Sequence, residues 1–150
     1  MMTKIDEKDK KILEILNDHA DYTTRQISKK IGLPITTVHN RIRKLRKEKI
    51  IKKFTVELDN SKVEKGFKVY ILISVDLSIL KEKKRSQYEL AKELRVFPFM
   101  EKVDIVSGGT DLVATIRVKG VEDFDKVLLT KIQRIEGIEK TQSLIVIHEN

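Results

Sequence analysis

The sequence predicts an α+β chain in two parts, a small helical unit followed by an antiparallel sheet with its helices on one face. Three observations carry that prediction. Residues 23–43 read as two short helices joined by a tight turn, with Thr23 and Gln26 opening the first and Gly32-Leu33-Pro34 separating the pair. Beyond residue 66 the apolar segments follow the order strand, helix, strand and then strand, helix, strand. Charge divides along the same line: residues 1–53 carry 15 Lys and Arg against 7 Asp and Glu, residues 54–150 carry 16 of each, and the formal net charge of +8 therefore lies in the first third of the chain. The expected organisation is a helix-turn-helix domain over 1–53, a connecting strand and hinge over 54–66, and a sheet domain over 67–150.

Composition excludes several classes of protein. The 150 residues include no cysteine, so no disulfide framework and no thiolate metal site can form. His19, His39 and His148 lack the spacing of a zinc site, and neither metal nor cofactor is expected. No His, Cys or carboxylate constellation suits acid–base or nucleophilic work, so an enzyme is not expected. The N-terminal stretch is charged with no apolar run behind it. The most apolar run, Val69 to Leu80, is broken by Ser74, Asp76 and Ser78 and is too short to span a membrane. A cytoplasmic protein without a membrane partner is expected. The charged fraction of 36%, with no Cys or Trp, fits a heat-adapted source.

Helix one is expected to start at Asp6, which caps its free amides, with Asp9 adding favourable charge in the first turn and Ile5, Ile12, Leu13 and Leu16 facing inward. Helix two opens on the Thr23/Gln26 capping box and ends at Gly32 in the left-handed conformation. Pro34 then fits the first turn of helix three. At about 100° per residue, Ile42 and Leu45 fall within about 40° of Val38 and form the inward stripe. Thr36, Asn40, Arg43 and Lys47 face the opposite way, flanked by Thr37, His39, Lys44 and Arg46.

Such a stripe is how a helix reads the major groove of double-stranded DNA. Asn suits adenine and Arg suits guanine, because each bonds two base-edge atoms at once. Thr36, Thr37, His39, Asn40 and Arg43 are therefore expected to read bases, and Lys29, Lys30, Lys44, Arg46 and Lys47 to contact phosphates. A Lys- and Arg-rich face is also simply a solvated one, but two capped helices, the turn and the localised charge together favour the DNA reading. Arg41 lies about 60° off the buried stripe, so it is expected to pair with an acid of helix one. His19 is expected at a surface helix end.

Ile50, Ile51, Phe54, Val56 and Leu58 read as a strand leaving the helical unit, with Asp59-Asn60-Ser61 as its hinge. The remaining elements are expected as a strand over 69–75 buried on both faces, a helix from about Lys84 to Arg95, a strand over 103–107, a tight Gly108-Gly109 hairpin, a strand over 112–118, a helix from about Val121 to Ile135 that carries Phe124, Val127, Leu128 and Ile132 inward, and a last strand over 138–147. This order is the ferredoxin-like βαββαβ arrangement. One sheet face would remain bare although Tyr70 and Leu72 alternate with Val69, Ile71 and Ile73, and such a surface calls for sheet-to-sheet pairing in a homodimer. Gly108, Gly109, Thr110 and Asp111 cluster small polar groups between apolar strands; they read either as a plain turn or as a contact for an amine or hydroxyl of a small ligand.

The joint order of these parts resembles the Lrp/AsnC (feast/famine) family of archaeal and bacterial transcription regulators, and its archaeal members in particular. The resemblance runs through Ile5-Asp6, Asp9, Ile12-Leu13 and Leu16; Ile27-Ser28 and Ile31-Gly32-Leu33; Val38, Arg41-Ile42 and Leu45; Ile50-Ile51; and Gly108, Asp111, Gly137-Ile138 and Thr141. It implies a winged-helix-like DNA-binding domain, a connecting strand, a ligand-sensing domain, and dimers that often assemble into octamers. It also implies an amino-acid effector bound between dimers near the hairpin, with Gly108 and Asp111 in that site. The family commonly has Ser where this chain has Pro34, and an acidic residue where it has Gly109. The expected function is a sequence-specific transcriptional regulator. The rival readings are an architectural DNA-coating protein and a small-molecule module without DNA affinity.

Overall fold

The computed structural model describes residues 4–149, and the first three residues of the charged N-terminal stretch lie outside it. The chain forms two compact units, one ending at Glu57 and the other beginning at Leu58.

The first unit holds α1 (Glu7–Asp18), α2 (Thr24–Ile31) and α3 (Ile35–Lys47). Two reciprocal caps begin the first pair. Asp9 N–H donates to the Asp6 carboxylate at 2.9 Å while Asp6 N–H donates to Asp9 at 3.2 Å, and Thr23 N–H donates to Gln26 at 2.8 Å while Gln26 N–H donates to Thr23 Oγ1 at 3.3 Å. Gly32 ends α2 at φ +66°, the left-handed conformation that other residues adopt only with strain. Pro34 stands one place earlier than expected, immediately before α3, which starts without a side-chain cap. Ile12, Leu16, Ile27, Val38 and Leu45 are buried at the centre, with Leu13, Ile31, Leu33 and Ile42 packed around them. Ile5 does not join this stripe; it precedes the cap and is exposed.

The strand expected from Ile50 to Leu58 is absent, since residues 52–59 take no regular structure. A strand exists only as part of a hydrogen-bonded ladder, and among the described residues nothing pairs with this segment. A short 3₁₀ turn, Asn60–Val63, follows, capped by Asp59.

The second unit contains β1 (Phe67–Val75), α4 (Leu77–Glu82), α5 (Gln87–Arg95), β2 (Met100–Ile105), β3 (Leu112–Val118), α6 (Val121–Val127) and β4 (Ile138–Ile145). The strands form one antiparallel sheet in the order β2-β3-β1-β4, the ferredoxin-like arrangement. Val69, Ile71, Ile73 and Val75 pack with Leu112, Ala114 and Ile116 against Leu80, Leu90, Leu94, Phe124 and Ile132, so both helical layers cover the same sheet face.

Three expectations for this unit need correction. β1 is buried on one face only, because Tyr70, Leu72 and Ser74 point away from the helices. The helix expected from Lys84 begins at Gln87 instead, because Lys84 takes φ +51° and Ser86 caps α5 with Glu89 in a capping box; the short α4 before it is an additional element outside the expected range. The two-glycine hairpin is instead a six-residue connection, 106–111. After α6 the coil widens into a π-type turn, Leu128–Ile132, and the connection reaches Gly137 at φ +102°. There the backbone strains any side chain, and a Cβ would lie 2.6 Å from Leu80 Cδ2, which would have to shift.

Candidate nucleic-acid interface and effector site

On α3, Val38 and Leu45 are buried while Thr36, His39, Asn40, Arg43, Lys44, Arg46 and Lys47 are exposed, and Thr37 is half-buried. The helix thus turns one continuous polar and cationic face to solvent. Lys29 and Lys30, in the last turn of α2, are exposed as well. Among the described residues none of Lys29, Lys30, Arg43, Lys44, Arg46 or Lys47 forms an ion pair. Their charge is not neutralised inside the unit and is available to a polyanion. Lys30 lies 5.4 Å from the Tyr22 ring centre and Arg46 lies 5.7 Å from that of Phe54, contacts that steady the stems of both side chains. His19 ends α1 and stacks on Tyr22 at 4.5 Å.

Arg41 is the exception on α3. Its guanidinium donates to Asp6 at 2.7 Å and to Asp9 at 2.8 Å, so the pairing with helix one read from the helical angle is present. The Asp9 amide first, and then Arg41, hold the Asp6 carboxyl at about 2, below its ordinary 3.8. Asp6 and Asp9 in turn raise Arg41. Thr37, Asn40 and Lys44 border the same ion-pair cluster.

The hairpin brings Gly109 and Thr110 to a cavity of about 320 Å³ on the sheet face away from the helices, walled otherwise by Leu72, Ser74, Lys140 and Gln142. Gly108 stands in the same loop at φ +140°. Asp111 holds the loop in shape, because its carboxylate accepts from Val75 N–H at 2.9 Å and from Gln87 Nε2 at 3.3 Å. The Thr110 hydroxyl donates to the Ile73 carbonyl at 2.9 Å. Ser74, Lys140 and Gln142 did not stand out in the sequence. Only the β1–β4 register, in which Ser74 faces Lys140 and Leu72 faces Gln142, brings them to the hairpin.

Further along this open face Arg117, nearly buried, bonds Glu101 at 2.8 Å and also Glu149, which Lys68 holds at 2.9 Å. Arg117, and then Lys68, keep the Glu149 carboxyl at about 2, below its ordinary 4.5. Among the described residues no helix is long and apolar enough to cross a membrane.

Two family models match the chain, one described as winged helix-turn-helix DNA-binding over residues 5–52 and one as the Lrp/AsnC ligand binding domain over residues 68–150. The chain is 36% identical to the HTH-type transcriptional regulator FL11 of Pyrococcus horikoshii, across 98% of this chain and 92% of that one. It is 30% identical to the regulator LrpA of the same organism, across 97% and 98%. Among solved structures it shares its fold with a Neisseria meningitidis transcriptional regulator solved as an L-Met complex (TM-score 0.87, 20% identity, 97% and 92% covered) and with Escherichia coli AsnC (TM-score 0.83, 22% identity, 98% and 95% covered). The chain therefore belongs to the Lrp/AsnC family, as a transcriptional regulator built from a DNA-binding helix-turn-helix unit and a ligand-binding domain, and not as an enzyme.

Proposed function

We propose that this regulator reads a specific DNA sequence as a dimer and responds to a small-molecule effector. The observation that carries the reading is the outer face of α3, where the exposed stripe Thr36, Asn40, Arg43 and Lys47 lies opposite the buried Val38 and Leu45. Thr36, Asn40 and Arg43, with His39 and Thr37 beside them, read base edges. Lys44, Arg46, Lys47, Lys29 and Lys30 hold phosphates. Two such helices in a dimer enter successive major grooves about 34–36 Å apart on a near-palindromic site.

The dimer reading draws on the open sheet face, where Tyr70 and Leu144 are direct cross-strand neighbours and both exposed. Gly108, Gly109, Thr110 and Asp111 form the effector loop, two of them lining the cavity and Asp111 setting the loop's shape. A related fold carrying L-Met supports ligand sensing in this domain. The resemblance to the family also implies that such dimers often assemble into octamers.

In vitro selection from a random DNA pool at about 150 mM salt, where purely electrostatic binding is suppressed, tests the reading. A near-palindrome with half-sites one helical turn apart is the expected outcome. Binding that shows no enrichment would transfer the assignment to an architectural protein.

A further inference from the structure

The segment that leads into α1 stands against one flank of α3. Lys4, exposed ahead of the Asp6 cap, lines a cavity of about 380 Å³ with Thr37, Asn40 and Lys44, which follow one side of α3. The ion pairs of Arg41 with Asp6 and Asp9 line it too. Both acids are engaged on every oxygen. Asp6 accepts from the Asp9 amide and from Arg41, and Asp9 accepts from Arg41 and from the Asp6 amide. Among the described residues neither Lys4 nor Lys44 forms an ion pair. The cavity wall therefore carries three cations, Lys4, Arg41 and Lys44, against two carboxylates that are already bonded.

We propose that this cavity seats one phosphate of the DNA backbone, held jointly by Lys4 and Lys44, which makes Lys4 a DNA-contacting residue. The inference rests on the reading of α3 as the helix that enters the major groove. A helix in that groove has backbone phosphates along its flanks, and an ammonium group makes charge-assisted bonds to them. Arg41 offsets part of the charge of the two acids, so a phosphate that approaches the lysines meets a wall of net positive charge. The seat adjoins Asn40, a proposed base reader. A phosphate fixed there sets the register in which Asn40 meets its base, and the lead into α1 then positions the protein on DNA together with α3.

Binding of the full chain to duplex DNA over a range of salt concentrations tests this, on the selected site or, where no sequence is enriched, on any duplex. Lys4 is exposed ahead of the cap, so Lys4→Ala keeps the fold intact. It should weaken binding about threefold to tenfold on every sequence. Lys10→Ala removes the same charge from a lysine that is paired with Glu7 outside the cavity, and should leave affinity unchanged. Because the two lysines share one phosphate, the double change Lys4→Ala with Lys44→Ala should lower the salt slope by about one per bound subunit. A fall of about two would place the lysines on separate phosphates and overturn the shared seat. Wild-type affinity in Lys4→Ala, or an equal loss in Lys10→Ala, would overturn the assignment of Lys4 and leave the DNA reading of α3 intact. A wild-type chain that binds no duplex even at low salt would overturn the seat and the DNA reading together.

Discussion

Arg41 on α3 donates to the Asp9 carboxylate on α1 at 2.8 Å, and that carboxylate is almost wholly buried. Asp9 is also the acid that closes the α1 capping box, so one side chain both starts α1 and ties α3 to it. Arg41→Met leaves a buried charge without its partner and should cost about 2–3 kcal/mol. Denaturant unfolding measures this, and a loss too small to resolve would mean that water replaces the guanidinium at no cost.

Acid should loosen the same junction. The fold favours ionised Asp6, whose carboxyl is held at about 2 against an ordinary 3.8. Its contribution is therefore complete above pH 3.8 and is lost as pH falls toward about 2. Glu149, held at about 2 against 4.5 by Arg117 and Lys68, acts with the same sign on the second unit. Circular dichroism across this range should show a shallower acid-induced loss in Asp6→Asn than in the wild type.

On DNA, Asn40→Ala and Arg43→Ala should each weaken the selected site by about 1–3 kcal/mol and relax preference at one or two base positions. Lys47→Ala should weaken every sequence alike and lower the salt slope by about one. Competition binding at several salt concentrations separates the two patterns. Identical uniform losses for Arg43→Ala and Lys47→Ala would remove Arg43 from the base readers.

Gly137→Ala should destabilise the second unit by about 2–4 kcal/mol, since φ +102° strains any side chain and the new Cβ would press on Leu80 Cδ2. Adding Leu80→Val should relieve the crowding and leave the backbone strain, so the paired change should cost less than the sum of its parts. Thermal unfolding of the three variants gives both quantities.

Leu144 lies exposed beside Tyr70 on the open sheet face. Leu144→Glu places a charge where the second subunit's sheet would pack, and should shift sedimentation from dimer to monomer at micromolar concentration while leaving the fold intact. A dimer unaffected by this change would mean that subunits pair elsewhere.

Much of the first unit is legible in the chain because its determinants are local. The Thr23/Gln26 and Asp6/Asp9 caps act across three residues, Gly32 ends a helix through its own φ, and the angle of Arg41 on α3 alone points it at helix one. The start of α5 is equally local, since Ser86 and Glu89 carry the same capping signature. Most of the elements, several of their caps and the inward and outward faces of the helices are written in the chain, because backbone geometry within a few residues decides them. Three outcomes emerge only in the folded molecule: residues 52–59 stay without a ladder, β1 buries one face, and Ser74, Lys140 and Gln142 meet the hairpin. Those outcomes depend on strand pairing and register between residues far apart in the chain, and a shift of one residue in β1 or β4 would have turned its side chains to the opposite face.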